Sequence, residues 1–305
     1  MGVTTPAPPA RPDQGVTTPW HRWLRPLAVA TLVSNIAIVV TGGAVRLTKS
    51  GLGCPTWPRC TEDSFIPVDL HIHSAVEFGN RMMTFVLTAV AVLTFVAAWK
   101  VGRRSVVRLA FLLGLVIPAQ AIIGGITVLT DLNPWIVAFH LLVSMAIIGG
   151  AVVLLRRLDE GDGPVRPLVP PAARALVLAT YAVTWVVLYL GTVVTGAGPH
   201  SGDAGAVRNG LDLDATSHVH AAAVYVLVAL TLAAVVLLPR VGAPEAAVRA
   251  ARWLLVLELL QGAIGFAQYF LGLPELLVGL HLLGAALIAM VSARLVVTVR
   301  ERQPA

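Results

Sequence analysis

Two histidines stand at matched positions in this chain, each behind the same short run of residues. His140 lies twenty residues after the glutamine of Gln120-Ala-Ile-Ile-Gly124, and His281 lies twenty residues after the glutamine of Gln261-Gly-Ala-Ile-Gly265. Both segments are strongly apolar, and an ionisable side chain in a membrane segment is costly enough to indicate a function. Neutral imidazole is a common metal ligand. The matched pair therefore favours a metal site over the alternative that each histidine only hydrogen-bonds a neighbouring helix.

Two other apolar segments carry candidate ligands at a similar depth. The sixth segment has His218 and His220 near its start, and the second has His73, Glu77 and Asn80 on one helical face, at spacings of four and three residues. Imidazoles that face each other across a four-helix bundle are suited to axial ligation of haem iron. A zinc ion would need further ligands that the sequence does not offer at this depth. We therefore expect the histidines to bind an iron porphyrin.

Glu77 and Arg81 are the other costly side chains of the second segment. Their i, i+4 spacing allows an ion pair within one helix, worth roughly 0.2–0.5 kcal/mol. The alternative makes Glu77 a proton acceptor that faces a bound substrate, and Arg81 a partner for a carboxylate such as a haem propionate. An ion pair in the resting state excludes neither role.

The two cysteines of the chain lie in one polar loop after the first apolar segment. Cys54 and Cys60 bound the run Cys-Pro-Thr-Trp-Pro-Arg-Cys. We place this loop outside the cytoplasm, where the compartment is oxidising, and five intervening residues can close a small ring. The spacing favours a disulfide, with two free thiols as the alternative. Two cysteines without nearby partners fall short of the four ligands of a zinc site.

The composition of the chain requires a membrane. Of its 305 residues, 57% are hydrophobic and 12% are charged, which is far more apolar than a soluble domain needs. A bilayer-spanning helix takes about 20 consecutive, mostly apolar residues. We therefore predict an all-α integral membrane protein with eight transmembrane helices and no soluble domain. The predicted spans are 27–46, 76–98, 109–130, 135–155, 173–194, 217–238, 251–271 and 275–297.

The distribution of positive charge predicts the orientation. The net charge is +6, and 17 of the 22 Lys and Arg lie in alternate loops or at the termini. The positive-inside rule makes these regions and both termini cytoplasmic, so the charge is no sign of nucleic-acid binding. Residues 1–25 are rich in Pro and Thr and lack a secretory or transit signal. We expect them to form a disordered cytoplasmic tail and the protein to lie in a bacterial plasma membrane.

The chain contains an internal repeat of four apolar segments. The third and fourth segments match the seventh and eighth through the Gln-to-His spacing and through Pro134 and Pro274, which open the last segment of each unit. Thr41–Arg46 in the first segment matches Leu190–Thr195 in the fifth more loosely. Four crossings per half give both halves the same direction, unlike the inverted repeats common in transporters. We predict two pseudo-symmetric parallel four-helix bundles. They comprise residues 26–158 and 173–298, with a cytoplasmic linker at 159–172 and a cytoplasmic tail at 299–305.

The longest polar motif resembles that of the haem A synthases. Gly43-Ala-Val-Arg-Leu-Thr-Lys-Ser-Gly-Leu-Gly-Cys-Pro-Thr-Trp-Pro-Arg-Cys60 is close to that family's Gly-x-x-Val-Arg-Leu-Thr-x-Ser-Gly-Leu-x-Cys-x-x-Trp pattern. The segment from Glu77 to Arg81, the two Gln-x-x-x-Gly runs and the histidines extend the likeness over almost the whole chain. The resemblance implies an eight-helix fold and the oxidation of one methyl group of haem O to a formyl group, giving haem A for cytochrome oxidase.

The resemblance also implies roles for individual residues. The N-terminal half would receive haem O, with His140 as a ligand to the substrate iron and Glu77 as the catalytic carboxylate. The C-terminal half would hold a haem b between His220 and His281 as an electron relay. We prefer His220 to His218 because the residues after it fit the family pattern better. Haem O synthase and cytochrome oxidase assembly factors are the implied protein partners.

One position departs from the family pattern. Many members have Glu-x-x-His-Arg in the second span, whereas this chain has Glu77-Phe-Gly-Asn80-Arg81. The second histidine of the N-terminal half is therefore missing from its usual place. Either His73, two turns earlier on the same face, replaces it, or the iron keeps an open coordination position.

Two other functions fit parts of the pattern. A membrane cytochrome b that only passes electrons would share the histidine pairs, but it needs neither an open iron site nor the long motif of the first loop. A haem or small-molecule transporter would place its site near the midplane of the membrane, whereas the candidate ligands here cluster near the outer surface.

Overall fold

The computed structural model describes residues 19–67 and 71–304, and this part of the chain is almost wholly helical. Its eight helices are α1 (Trp20–Leu47), α2 (Ile72–Val101), α3 (Arg104–Leu129), α4 (Pro134–Leu158), α5 (Pro171–Ala197), α6 (Leu213–Arg240), α7 (Glu245–Phe270) and α8 (Glu275–Thr298). Two short strands, β1 (Val165–Pro167) and β2 (Arg300–Arg302), complete the described elements.

All eight predicted spans are confirmed as helices that are long and apolar enough to cross a membrane. The chain is thus a multi-pass membrane protein. Most of the helices are longer than the predicted spans, because a helix can continue into the polar interface where hydropathy no longer marks it. α1 begins at Trp20, so the predicted boundary of the N-terminal tail at residue 25 is too late. Residues 1–18 of that tail lie outside the described residues.

Large apolar side chains cover the outward helix faces, and small residues lie at many of the contacts between helices. Large apolar side chains such as Leu115, Val186 and Leu259 are exposed, whereas small residues such as Ala97 and Ala251 are fully buried. In a membrane the lipid is as apolar as leucine, so helices associate through close packing of small residues. The exposed leucines and valines therefore mark the lipid-facing surface.

The helices form two rings of four. In the first half α1 packs on α2, α2 on α3, α3 on α4 and α4 on α1; in the second half α5 to α8 follow the same order. The halves meet through α4 with α8, α1 with α8 and α4 with α5. Exchanging the two halves maps this set of contacts onto itself. The pattern is that expected for two related bundles, and the pseudo-two-fold axis itself stays a prediction.

The depth of the candidate ligands depends on where the helices begin at one end of the molecule. We call the end with loops 48–71 and 198–212 the outer end, and the end with loops 102–103 and 159–170 the inner end. Asn133 caps α4 by accepting a hydrogen bond from the Trp135 N–H at 3.0 Å, and Pro134 is the first residue of that helix. Asp212 caps α6 in the same way, accepting from the Ala215 N–H at 2.7 Å. Pro274 stands immediately before α8 rather than within it.

The linker and the C-terminal tail pair with each other at the inner end, which the sequence did not predict. β1 and β2 are antiparallel, with Val165 opposite Arg302. In the same loop Asp162 accepts hydrogen bonds from Arg103 and Ser105 and lies 2.8 Å from Arg157. The hydrogen bonds from Arg103 and Ser105 are the main reason that the pKa of Asp162 falls to about 2. Backbone pairing therefore joins the two segments that flank the second half, and Arg156 of α4 donates to the Arg300 oxygen of β2 at 3.2 Å.

Candidate functional site

The histidines of the internal repeat each lie against a glycine of the preceding helix, near the outer end. A Cβ atom built on Gly124 of α3 would lie 3.4 Å from Cε1 of His140 on α4, and one on Gly265 of α7 would lie 3.6 Å from Cε1 of His281 on α8. The Gln-x-x-x-Gly runs therefore do more than mark the repeat. They supply the one residue without a side chain at the place where the imidazole packs.

A second matched pair lies between the first two helices of each half. A Cβ atom on Gly191 of α5 would lie 3.3 Å from Cε1 of His220 on α6. In the first half, a Cβ atom on Gly42 of α1 would lie 4.0 Å from both terminal atoms of Asn80 on α2. Gly42 and Gly191 are the second residues of the two runs that match between the first and fifth helices. Asn80 thus stands in the first half where His220 stands in the second.

The three bundle-facing histidines each keep a buried ring nitrogen without a hydrogen-bond partner. This holds for Nδ1 of His140, His220 and His281. A buried polar atom without a partner is uncommon enough to need an explanation. Imidazole nitrogens next to glycine-lined helix faces suit axial ligation of a flat iron porphyrin. Among the described residues, no group of three or more His, Cys, Asp or Glu could hold a metal ion.

His218, the other candidate on α6, points away from the bundle. Its side chain is exposed, its Nδ1 lies 2.8 Å from the backbone oxygen of Asp214, and its ring makes an edge contact with Tyr269. Of the two histidines at this level, only His220 packs against α5. The geometry therefore favours the predicted choice of His220, whose role as a ligand stays a prediction.

The glutamines of the repeat brace the helices that carry the histidines. Nε2 of Gln120 donates to the backbone oxygen of His140 at 3.0 Å and to Ser144 Oγ at 2.6 Å. Gln261 fills the space over Gly284 on α8, where an added Cβ would come within 1.8 Å of its Nε2. Each glutamine thus fixes the spacing between the third and fourth helices of its half, one turn inward of the glycine.

Glu77 and Arg81 form the predicted i, i+4 ion pair, and both also hold the external loop. Arg81 donates to Glu77 Oε1 through Nη2 at 2.5 Å, and Glu77 Oε2 accepts the Cys54 backbone N–H at 2.6 Å. The Arg81 guanidinium also donates to the backbone oxygens of Cys54, Thr56 and Arg59, at 2.8, 3.1 and 3.1 Å. Glu77 is buried, with 5% of its surface exposed. The pair therefore clamps the loop onto the outer end of α2.

The external loop carries a disulfide between Cys54 and Cys60, which confirms the prediction from their spacing. Its tryptophan, Trp57, inserts against α3. A Cβ atom on Gly125 would lie only 2.4 Å from Cδ2 of the Trp57 ring, and Gly125 is next to the glycine that faces His140. The loop is thus seated beside the candidate site of the first half.

His73 faces this loop. Its Nδ1 lies 3.0 Å from Ser50 Oγ, its side chain is exposed, and its backbone packs against Gly53. His73 is on the same face of α2 as Glu77 and Asn80, as predicted, but at the outer end of the helix. The structure does not bring it to the level of Asn80.

Sequence reasoning missed the residues that join the two halves at the outer end. Arg46, inside the long motif, donates to the backbone oxygens of Thr195, at 2.7 Å, and His200 in the second half. Gly51 of the external loop donates its N–H to the Gly202 oxygen at 2.8 Å. The motif itself was the available signal, since a buried arginine without a carboxylate beside it in sequence must find oxygens elsewhere.

A family model decides the relationship of this chain to known proteins. The model of the COX15-CtaA family, described as cytochrome oxidase assembly protein, matches residues 25–76 and 68–207, which is more than half of the chain. The chain belongs to the COX15-CtaA family. The matched region contains the disulfide loop, Glu77, Asn80 and His140. The second half from α6 onward, with His220 and His281, lies beyond it.

Several curated relatives carry the name heme A synthase. One from Halalkalibacterium halodurans is 30% identical over 182 residues, which is 57% of this chain and 60% of that protein. One from Lysinibacillus sphaericus is 32% identical over 180 residues, or 57% and 58%. A third, from Geobacillus thermodenitrificans, is 32% identical over 111 residues, or 36% and 34%. The chain thus spans about 60% or less of the length of these COX15-CtaA relatives.

Proposed function

We propose that this chain is a haem A synthase, which oxidises a methyl group of haem O to a formyl group to supply haem A for cytochrome c oxidase. The family membership, the relatives named heme A synthase and the long first-loop motif support this function. The observation that carries the proposal is the matched set of imidazoles, each packed on a glycine and each with an unpartnered buried nitrogen. Such a set fits porphyrin iron in both halves.

In the N-terminal half, we assign His140 as the protein ligand of the substrate iron. Gly124 lets the imidazole pack directly on α3, and Gln120 holds the backbone of the same helix turn. The loop that carries Trp57 packs against α3 beside this histidine. Oxidation of a methyl group to a formyl group adds an oxygen atom and removes protons and electrons, so the reaction needs water or dioxygen as the oxygen source, a proton acceptor and an external electron acceptor. Glu77, buried between α2 and the loop, is the proposed proton acceptor.

Arg81 is the proposed partner of a haem propionate. In the present geometry its guanidinium is engaged by Glu77 and by three backbone oxygens of the loop. A propionate would therefore share Arg81 with Glu77, and loss of the charge of Glu77 on protonation would free a donor for it.

In the C-terminal half, we assign His220 and His281 as the residues that would hold a resident haem b. Iron held by two histidines supplies reversible one-electron transfer when the haem is bound. Gly191 and Gly265 let the two imidazoles pack directly on α5 and α7, and Gln261 sets the distance between α7 and α8. This half is the proposed electron relay.

The proposed setting is the bacterial plasma membrane, with both termini in the cytoplasm. The clustering of Lys and Arg in alternate loops supports this orientation. The proposed protein partners are haem O synthase, which would deliver the substrate, and cytochrome oxidase assembly factors, which would receive haem A.

The test is to express the full chain in a bacterium that makes haem O but no haem A, and to identify the extracted haems by mass. The wild-type chain should produce haem A, and His140→Ala and Glu77→Gln should lose most of it. His218→Ala, on the exposed face of α6, is the matched control for His220→Ala and should behave as the wild type. Wild-type conversion by either His140→Ala or Glu77→Gln would contradict the assigned roles.

The same experiment separates the alternatives. Protein that retains b-type haem at His220 and His281 and never yields a formyl haem would be an electron carrier. Protein that moves haem across vesicle membranes without altering it would be a transporter.

A further inference from the structure

We propose that the N-terminal half is a one-histidine site, in which Asn80 occupies the place of the second iron ligand and leaves that face of the porphyrin open to a small oxygen-containing ligand. The inference rests on the proposed function only in so far as that function places a haem against His140.

The first support is the equivalence of four helix contacts. Gly124 faces His140 as Gly265 faces His281, and Gly42 faces Asn80 as Gly191 faces His220. The second half thus offers two imidazoles from α6 and α8, whereas the first half offers one imidazole from α4 and one amide from α2. An amide is a poor ligand for haem iron, whose usual protein ligands are His, Cys, Met and Tyr.

The second support is the hydrogen bonding of Asn80. Its Oδ1 accepts the hydroxyl of Thr41 on α1 at 2.7 Å, so the oxygen is occupied. In the second half the residue matched to Thr41 is Leu190, which cannot donate. The change from Leu190 to Thr41 between the halves therefore accompanies the change from His220 to Asn80. Among the described residues, no hydrogen bond uses the Nδ2 group of Asn80, which leaves an N–H donor at the position of the missing ligand.

The third support is that the other candidates are placed elsewhere. His73 is seven residues outward from Asn80 on α2, about 10 Å along the helix axis, and its ring nitrogen faces Ser50. Glu77 accepts from both Arg81 and the Cys54 backbone. In residues 26–158 the only other histidine besides His73 and His140 is His71, one residue before α2. No described side chain of this half replaces the second imidazole.

The test is a reciprocal exchange between the halves, followed by spectroscopy of the purified, haem-loaded ferric protein. A haem held by two histidines is low-spin, whereas a haem with one histidine and a weak or absent opposite ligand is high-spin. We expect the wild type to show both signals in electron paramagnetic resonance, with about half of the bound haem high-spin when both sites are filled. Asn80→His should convert the high-spin signal to a second low-spin signal.

Matched variants keep the test interpretable. Thr41→Leu combined with Asn80→His reproduces the Leu190 and His220 pair and guards against a misfolded single variant. His220→Asn should do the reverse in the second half and convert its low-spin signal to high-spin. His140→Ala should remove the high-spin signal of the wild type. Cyanide should bind the wild type at the N-terminal site and should no longer bind Asn80→His there.

The outcomes for the inference and for the proposed function differ. A wild type with low-spin haem alone, or one whose second low-spin signal disappears in His73→Ala, would overturn the one-histidine site even if haem A is made. A high-spin signal that survives His140→Ala would overturn it too. Conversely, a high-spin signal that depends on His140 and yields to Asn80→His would support it even in protein that makes no haem A.

Discussion

The seating of the external loop depends on a glycine, and Gly125→Ala tests this directly. The added Cβ would meet Cδ2, Cε2 and Cγ of Trp57 at 2.4, 2.6 and 2.7 Å. An ordinary contact begins near 3.4 Å, so the ring or the helix must retreat by about 1 Å. The ring is part of the loop that Glu77 and Arg81 hold by hydrogen bonds. A retreat of this size therefore disturbs the clamp as well as the contact.

The magnitude follows from comparison with a second glycine of the same helix. Gly114→Ala places a Cβ 3.8 Å from Cβ of Ala91, which is an ordinary contact. Both substitutions gain the same helix propensity, about 1 kcal/mol, so this gain cancels in the difference between them. What remains is the cost of overpacking, typically about 1–3 kcal/mol. Gly125→Ala should be less stable than Gly114→Ala by that amount.

The assay is thermal unfolding of the two variants, purified in the same detergent. At about 2 °C per kcal/mol for a chain of this size, the midpoint of Gly125→Ala should lie on the order of 2–6 °C below that of Gly114→Ala. On the proposed function, haem A production should fall in Gly125→Ala, while the low-spin haem proposed for the second half is retained. An equal or higher midpoint for Gly125→Ala would refute the seating of Trp57 on α3.

Three further predictions concern groups away from the porphyrin sites. Thr231→Val removes the hydroxyl that donates to Glu258 Oε1 at 2.8 Å. Because Oε2 of this buried carboxyl already lacks a partner, the free energy of unfolding should fall by about 1–3 kcal/mol relative to Thr231→Ser. Thermal unfolding of the two variants measures this difference. Asp162→Asn should lower the free energy of unfolding at neutral pH. Because the pKa of Asp162 is lowered to about 2 in the folded chain, the difference in free energy of unfolding between variant and wild type should shrink as the pH falls from about 4 towards 2. A difference that persists below pH 2 would contradict the pairing of Asp162 with Arg103 and Ser105. Replacing both Cys54 and Cys60 by Ser should lower the free energy of unfolding by about 2 kcal/mol, which is the loop-closure entropy for so short a ring. Treating the wild type with a reductant should have the same effect. If neither change affects stability, the hydrogen bonds of Arg81 hold the loop alone.

The eight helices could be predicted because each contains a run of apolar residues long enough to span a membrane. Their ends could not be predicted to the residue. Trp20 and Ile72 begin helices several residues before the apolar runs, in sequence that is polar enough to read as loop. The pairing of Val165–Pro167 with Arg300–Arg302 was also out of reach, because two three-residue strands more than a hundred residues apart carry no local pattern.

Within the candidate site, contacts between residues of one helix could be predicted from their spacing in the sequence, whereas contacts between different segments could not. The i, i+4 relation of Glu77 and Arg81 required no tertiary information, and the ion pair is present. Their hydrogen bonds to the Cys54 backbone could not be predicted without knowing where the loop folds back onto α2. Likewise, Gly42 and Gly191 could be matched as residues of a repeat, but the side chains that they face depend on how α1 and α5 are rotated against α2 and α6.

The two halves share the order of their helix contacts and the glycines at two pairs of positions, Gly42 with Gly191 and Gly124 with Gly265. These shared features fit the proposal that each half holds a porphyrin. They do not distinguish a relay from a reactive site. We propose that this difference lies partly at the position shared by Asn80 and His220, supported by Thr41 in one half and Leu190 in the other. On the proposed function, an iron held by two histidines would transfer electrons and an iron with an open position would bind an oxygen species. The role of each half would then follow from what its second helix presents to its first.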